Sequence, residues 1–401
     1  MSVPVPKLRF KNFSQALING PFEQYIKSSK YGPRFDANDY DLNGNVKTIR
    51  GTDVALDATI KYEQVPIANL PQKLIDEHQL QEGDILMITT ADCGLSAVFE
   101  KQEIPFIASA YAVRIVLKNS LDSLWVKYYL QTQHIVNEVN KYVRKGTLSN
   151  LPLSDISKFS FTVPALEEQT KIATFLSAVD EKISQLTKKH ELLSQYKQGM
   201  MQKLFSQQLR FKADDGSEFG EWEDKKLGEI SKTFSGGTPQ SSNKSFYEGT
   251  IPFIKSGEIS KNTTEQCIND LALEKSSAKL VKKGDLLYAL YGATSGQVAI
   301  SQIDGAINQA VLCIRSELNT KYLLNFLLLK KEEILTTYLQ GGQGNLSASI
   351  LKEIYIPTPC LAEQTKIANF LSAIDQKIEV VAQQIEQAKT WKKGLLQQMF
   401  I

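Results

Sequence analysis

EQTKIATFLSAVDEKI at 168–183 and EQTKIANFLSAIDQKI at 363–378 are two copies of one stretch, identical at 13 of 16 positions and 195 residues apart. The register continues without a gap. SQYKQGMMQKLF (194–205) corresponds to the end of AKTWKKGLLQQMF (388–400), setting Tyr196 over Trp391, Gly199 over Gly394 and Phe205 over Phe400. A proline precedes each copy, Pro164 and Pro359, so the repeated unit is about forty residues long.

Each copy reads as one long helix. Ile172, Leu176, Val179, Ile183 and Leu186 in the first copy, and Ile367, Leu371, Ile374, Ile378 and Val381 in the second, advance in alternating steps of four and three. That spacing is the seam of a coiled coil, and it continues towards Leu204 and Met399. His190, Lys197 and Lys392 occupy the remaining seam positions. At 1.5 Å per residue each helix would run roughly 60 Å. Two long helices with matching seams bury them most simply against each other, since an open apolar stripe of that length is costly. In the first turns, Glu168-Gln169 and Glu363-Gln364 place a carboxylate where the helix dipole favours it.

The rest of the chain is also duplicated, more loosely. LRFK stands at 8–11 and at 209–212; QEGDILMITTAD (81–92) resembles KKGDLLYALYGAT (282–294). Runs rich in β-branched and aromatic residues (83–90, 106–117, 284–290, 310–315) alternate with helical patterns at 123–139 and 321–339. The predicted fold class is therefore α+β. Two globular mixed α/β regions, 1–160 and 207–355 (the latter with its linker), alternate with helices 164–206 and 359–401. Only sixteen residues, 206–221, separate Phe205 from Trp222, so the second globule must start near the far end of the first helix. A second helix running back antiparallel would end beside the chain start. The expectation is a quasi-closed ring of approximate two-fold symmetry.

Composition is that of a globular protein: 42% hydrophobic, 22% charged, net charge +2. No run of 18 apolar residues and no signal-peptide pattern occurs, which reads as a cytoplasmic protein with no membrane role. Cys93, Cys267, Cys313 and Cys360 stand far apart and read as reduced thiols. Catalytic signatures are missing: there is no phosphate loop, no HExxH, no GxSxG, and the three histidines are scattered. The reading is of a chain without an active site. Polar loops instead concentrate Thr, Ser, Gln, Asn, Arg and Lys, the side chains that meet base edges and phosphates. They lie at 34–53, 236–246, 251–260, 291–297 and 341–345.

These residues resemble a known family. GGTP (236–239), IPFIKSGEI (251–259), GDLLYALYGATSGQVAI (284–300), INQAVLCI (307–314), GQGNLSAS (342–349) and the EQ helix follow one another as in the specificity subunit of type I restriction–modification enzymes. The first half matches in its helix and in KGTLSNL (145–151); INGPFEQ (18–24) stands where a GGTP loop is expected. The resemblance implies a non-catalytic subunit. Each globule would be a target-recognition domain reading one half of a bipartite, asymmetric site in double-stranded DNA. The helix pair would set the spacer, since half-sites read from one side lie roughly 34–36 Å apart, and would dock two methyltransferase (modification) subunits. Restriction/translocase subunits would join for defence against foreign DNA. S-adenosylmethionine, ATP and Mg would reside on those partners, with no cofactor or metal in this chain. The candidate DNA contacts are Arg34, Arg50, Thr52, Thr89, Thr90, Arg144 and Lys145 in the first domain. In the second they are Thr238, Gln240, Lys255, Ser256, Tyr291, Thr294, Asn308, Gln309 and Asn345. The alternative is a stand-alone two-headed DNA-binding or structural coiled-coil protein without methyltransferase partners.

Overall fold

The structure, a computed structural model, describes residues 5–338 and 346–400, the side chain of Tyr338 excepted. The chain forms two compact units, Met1–Leu186 with Gln384–Ile401, and Thr187–Gln383. Each unit therefore contains a globule and part of both long helices.

The two globules are built alike. In the first unit, strands Ile26–Tyr31, Ala112–Leu117, Ile85–Ile88 and Ser96–Val98 form an antiparallel sheet in that order. A second sheet centres on Val46–Ile49, parallel to Phe106–Ala108 and antiparallel to Ile67–Ala68. In the second unit the counterparts are Ser231–Ser235, Val311–Ser316, Leu286–Ala289 and Val298–Ile300. Ile251–Ile254 lies between Cys267–Ile268, antiparallel, and Gly305–Ile307, parallel, with Lys279–Val281 at the far edge. The repeated Gly-Asp explains the central strands. Gly83 and Gly284 take φ of 87° and 96°, where a Cβ is disfavoured. Asp84 Oδ2 accepts from Gln81 N (2.7 Å) and Asp285 Oδ2 from Lys282 N (2.8 Å), closing the turn that launches each strand. Ile85–Ile88 and Leu286–Ala289 are buried throughout, as their unbroken apolar runs require.

One expectation is corrected by the strand pairing. INGP of INGPFEQ does not stand in for GGTP: Ile18–Pro21 pairs with Ser160–Val163, as Glu223–Lys226 pairs with Tyr355–Thr358. The true counterpart of Gly236 is Gly32. Each follows the outer strand of the four-stranded sheet, and a Cβ on either would collide with backbone, at the Ala108 and Ser109 carbonyls for Gly32 and the Ile307 carbonyl for Gly236. Only glycine lets the chain pass there.

The long helices, or arms, span Leu166–Phe205 and Leu361–Met399. Of the ten seam residues named above, Ile172, Leu176, Val179, Leu186, Ile367, Leu371, Ile374 and Val381 are buried, and Ile183 and Ile378 are half-buried. In the first unit Ile172, Leu176 and Val179 share one core with Trp125 and Tyr129 of the globule and with Leu395, Met399 and Phe400 of the second arm. In the second unit Ile367, Leu371 and Ile374 share a core with Tyr322 and Phe326 of the globule and Met201 and Leu204 of the first arm. Within each unit residue numbers rise along one arm as they fall along the other, so the arms pack antiparallel. The seam lysines enter equivalent ion pairs, Lys392 with Asp180 (2.7 Å) and Lys197 with Asp375 (2.6 Å). The base of each arm is thus buried on a broad face, against its globule as well as the other arm.

The duplicated Glu-Gln explains how arm and globule are locked. Glu168 and Glu363 are 1% and 0% exposed, and each receives the arginine of an LRFK segment. Arg9 Nε and Nη2 donate to Glu168 (both 2.6 Å); Arg210 Nε and Nη2 donate to Glu363 (3.1 and 2.9 Å). The neighbouring phenylalanines repeat the match, Phe10 edge-on to Phe175 and Phe211 edge-on to Phe370. Gln169 accepts from Asp122 N (2.9 Å) and donates to Pro164 O (2.9 Å); Gln364 accepts from Asn319 N and donates to Pro359 O (both 2.8 Å). Both glutamates stand in the first helical turn, as the dipole favours, and each gains a paired role besides.

Candidate DNA-reading surface

In both units several of the candidate residues stand where the central parallel strands end. Lys255 follows Ile251–Ile254, Asn308 follows Gly305–Ile307, and the two strands are hydrogen-bonded neighbours. Gly236 N donates to Asn308 O (3.2 Å), and Thr238 Oγ1 donates to Gln309 Oε1 (2.6 Å), drawing the 236–240 loop to the same place. A Cβ on Gly257 would stand 4.0 Å from Thr294, which brings in the 291–297 loop. Thr238, Gln240 and Gln309 are exposed; Lys255, Ser256, Tyr291, Thr294 and Asn308 are half-buried. Burial pushes the Tyr291 phenol up. Asn345 lies outside the described residues.

The turn after the parallel strand is built by a carboxylate in both units. In the second, buried Glu258 accepts from Lys255 N (3.2 Å) and Glu265 N (2.8 Å). In the first, buried Asp53 accepts from Arg50 N (2.9 Å) and from Arg50 Nε and Nη2 (3.1 and 3.0 Å). Burial alone would lift the Asp53 carboxyl; the hydrogen bonds from the Arg50 side chain and backbone and from Gln64 outweigh it and hold it below the usual carboxylate range. Arg50 and Lys255 are therefore equivalent positions on equivalent turns, one guanidinium braced and one ammonium without a partner among the described residues.

Arg34, two residues after the glycine equivalent to Gly236, is exposed, as are Thr52, Arg144 and Lys145; Thr90 is half-buried. Arg144 pairs with Asp155 (3.2 Å), and its backbone bridges Asn150, which in turn bridges Thr90. Leu151 N donates to Thr89 O (2.8 Å) just as Leu346 N donates to Leu290 O (2.9 Å), so Leu151 and Leu346 close equivalent places. Thr89 is taken off the surface: it is buried, and its hydroxyl donates to Tyr111 O (2.9 Å). It braces the loop. Tyr111 itself, adjoining that loop and 63% exposed, is a candidate contact that sequence reading missed. Its counterpart in the second unit, Ala310, gave no aromatic to match it with. Among the described residues no group of three or more His, Cys, Asp or Glu gathers in a way that would hold a metal ion, and no helix is long and apolar enough to cross a membrane.

The surface thus repeats in scaffold and differs in its side chains. In one copy Arg34, Arg50, Thr52 and Tyr111 are exposed and Thr90 is half-buried; in the other Thr238, Lys255, Gly257, Tyr291 and the buried Ala310 hold the corresponding places. Known proteins are similar to this chain over most of its length. The type I restriction enzyme MjaVIII specificity subunit of Methanocaldococcus jannaschii is 28% identical over 340 residues, covering 79% of this chain and 78% of its own. The MjaIX specificity subunit of the same organism is 24% identical over 379 residues, covering 88% and 85%. The crystal structure of a type I restriction–modification S subunit from M. genitalium superposes with a TM-score of 0.61 at 17% identity, over 99% of both chains. A model of the type I restriction modification DNA specificity domain matches twice, at residues 26–194 and 220–390, each match taking in one globule and much of the arm that follows it. With most of its length accounted for by those two matches, the chain belongs to the type I restriction–modification DNA specificity family.

Proposed function

We propose that the chain is the non-catalytic DNA-reading subunit of a type I restriction–modification assembly, each globule reading one half of a bipartite, asymmetric site. The observation that carries this reading is the doubled scaffold with unlike loops: a homodimer would present identical readers and demand a palindrome, whereas these two surfaces differ residue by residue. The arms would fix the spacer between half-sites. Methyl transfer and ATP-driven restriction, with S-adenosylmethionine, ATP and Mg, would belong to cytoplasmic partner subunits. The test is methylome sequencing of a host carrying the chain with its methyltransferase. A methylated two-part motif with a fixed spacer is the expected result. Purification without any large partner, or a methylation pattern indifferent to this chain, would favour a stand-alone DNA-binding protein instead.

The arms carry features that support two docked methyltransferase subunits. Tyr196 and Trp391 hold the same repeat position and are 52% and 53% exposed. Three residues on, hence on the same helix face, Gly199 and Gly394 have nothing among the described residues within 4 Å of where a Cβ would stand. A mid-helix glycine costs roughly 1 kcal/mol against alanine, and nothing among the described residues requires either one. A close approach by a partner, made twice, would. Replacing both glycines with leucine should leave the melting temperature equal or higher while cutting co-purifying methyltransferase at least tenfold, by about the cost of overpacking an interface. Undiminished assembly would remove this face from the docking surface.

A further inference from the structure

In the first unit the turn that carries Arg50 and Thr52 continues into a protruding hairpin. Its base is fixed: Val54 bridges Ile60, both are buried along with Ala58, and Lys61 N donates to Asp53 O (2.8 Å). Its tip is fixed as well. Ala55 N donates to Thr59 O (2.8 Å), and Asp57 Oδ1 accepts from Thr59 N (3.2 Å) and Thr59 Oγ1 (2.6 Å). Ala58 closes the turn at φ 63°, a left-handed conformation that disfavours a residue with a Cβ. On this braced tip stands Leu56, 92% exposed.

A single exposed leucine is ordinary on a protein surface. This one is held rigid, on a strained turn, beside candidate DNA contacts. It forms one wall of an open cleft of about 560 Å³ whose lining also includes Gly51 and Thr52 and, across from them in sequence, Asp92 and Cys93. The equivalent excursion of the second unit, between Glu258 and Cys267, exposes Ser260, Lys261, Asn262 and Thr263, with no apolar side chain among them. The two units thus differ here in chemistry: the first exposes a branched hydrocarbon beside its polar Asp57 and Thr59, the second polar side chains at all four positions.

We propose that Leu56 is a sequence-reading residue of the first unit, making apolar contact with the 5-methyl group of a thymine next to the positions met by Arg50 and Thr52. This rests on the DNA-reading role proposed above. The thymine methyl is the apolar group that base edges offer in the major groove, and a leucine has nothing else with which to tell one base from another.

The test uses the complex with its methyltransferase subunits. Binding selection from randomised duplexes first defines the two half-sites, and each thymine of one half is then replaced in turn by deoxyuridine, which lacks only the methyl. One such replacement should weaken binding by the wild-type complex about fourfold, the value of one buried methyl group. Leu56→Ala should bind thymine and deoxyuridine equally at that position, with the other half-site read as before and the melting temperature unchanged. If no deoxyuridine matters, or if Leu56→Ala keeps the full penalty, the inference is overturned. It is also overturned if Leu56→Ala loses affinity without any dependence on the methyl, which is the mark of a wedge between base pairs. A complex that selects no two-part sequence overturns the DNA-reading role and this inference together; the other failures leave that role standing.

Discussion

Replacing Glu363 with glutamine is expected to destabilise the second unit by about 3–5 kcal/mol, the usual cost of stranding one member of a buried ion pair. Glu363 is fully buried and accepts three hydrogen bonds, two from Arg210 and one from Trp222 Nε1 (2.9 Å). Glutamine keeps the volume but removes the charge that offsets the guanidinium, and it turns an amide N–H₂ towards donors. Arg210 has nowhere better to go, since its Nη2 is also committed to Gly220 O (2.7 Å). The loss would be felt where the LRFK segment, the stretch that follows it and the second arm meet. Hydrogen exchange resolved along the arm measures it, and protection unchanged around Ile367 and Leu371 would refute it. Glu168→Gln should cost less, because Glu168 accepts from Arg9 without a tryptophan. The double variant Glu363→Leu with Arg210→Met should recover part of the loss, as buried pairs exchanged for hydrocarbon often do.

That pairing shows which part of the structure was legible in the sequence. The arms could be read because a heptad seam is a local pattern: Ile367, Leu371 and Ile374 announce one face of one helix whatever surrounds it. The Gly-Asp turns could be read for the same reason, since Asp84 and Asp285 bond backbone three residues away. What closes the fold is not local. Arg9 meets Glu168 across 159 positions, and LRFK and EQ, both visible as repeats, carried no sign that they bind each other. The misplacement of the GGTP counterpart has a related cause. Gly32 and Gly236 are equivalent because a strand edge passes a carbonyl, and no flanking residues mark that approach. Candidate contacts suffered likewise: Thr89 and Thr90 look alike in sequence, but Thr89 is buried with its hydroxyl bonded to Tyr111 O, a contact 22 positions away. Leu56 and Tyr111 went unnoticed because apolar residues are read as core until exposure is known.

Deleting residues 1–11 should lower the melting temperature of the first unit by ~10 °C or more, although the segment has the look of a disposable tail. The deletion strands Glu168, 1% exposed, without Arg9, at about 3–5 kcal/mol, and uncovers Phe175 by removing Phe10. The same residues should work equally well attached to the other end of the chain. Leu209 N donates to Lys203 O (3.1 Å), and Leu8 N donates to Gln398 O (2.8 Å); Lys203 and Gln398 share one repeat position. In space, the first LRFK follows the second arm as the second LRFK follows the first. Three residues (206–208) make the connection in the interior copy, and joining Ile401 to Met1 would supply eight, Ile401 with residues 1–7, so no added linker is needed. A circular permutant joined there and opened near Asp214, whose side chain is 97% exposed, should melt within a few degrees of the parent. The truncated chain tests whether the contact matters; the permutant tests whether it is the contact, rather than the order of the chain, that matters. A permutant as unstable as the truncation would mean that the ends meet in the first unit without being equivalent to the interior junction of the second.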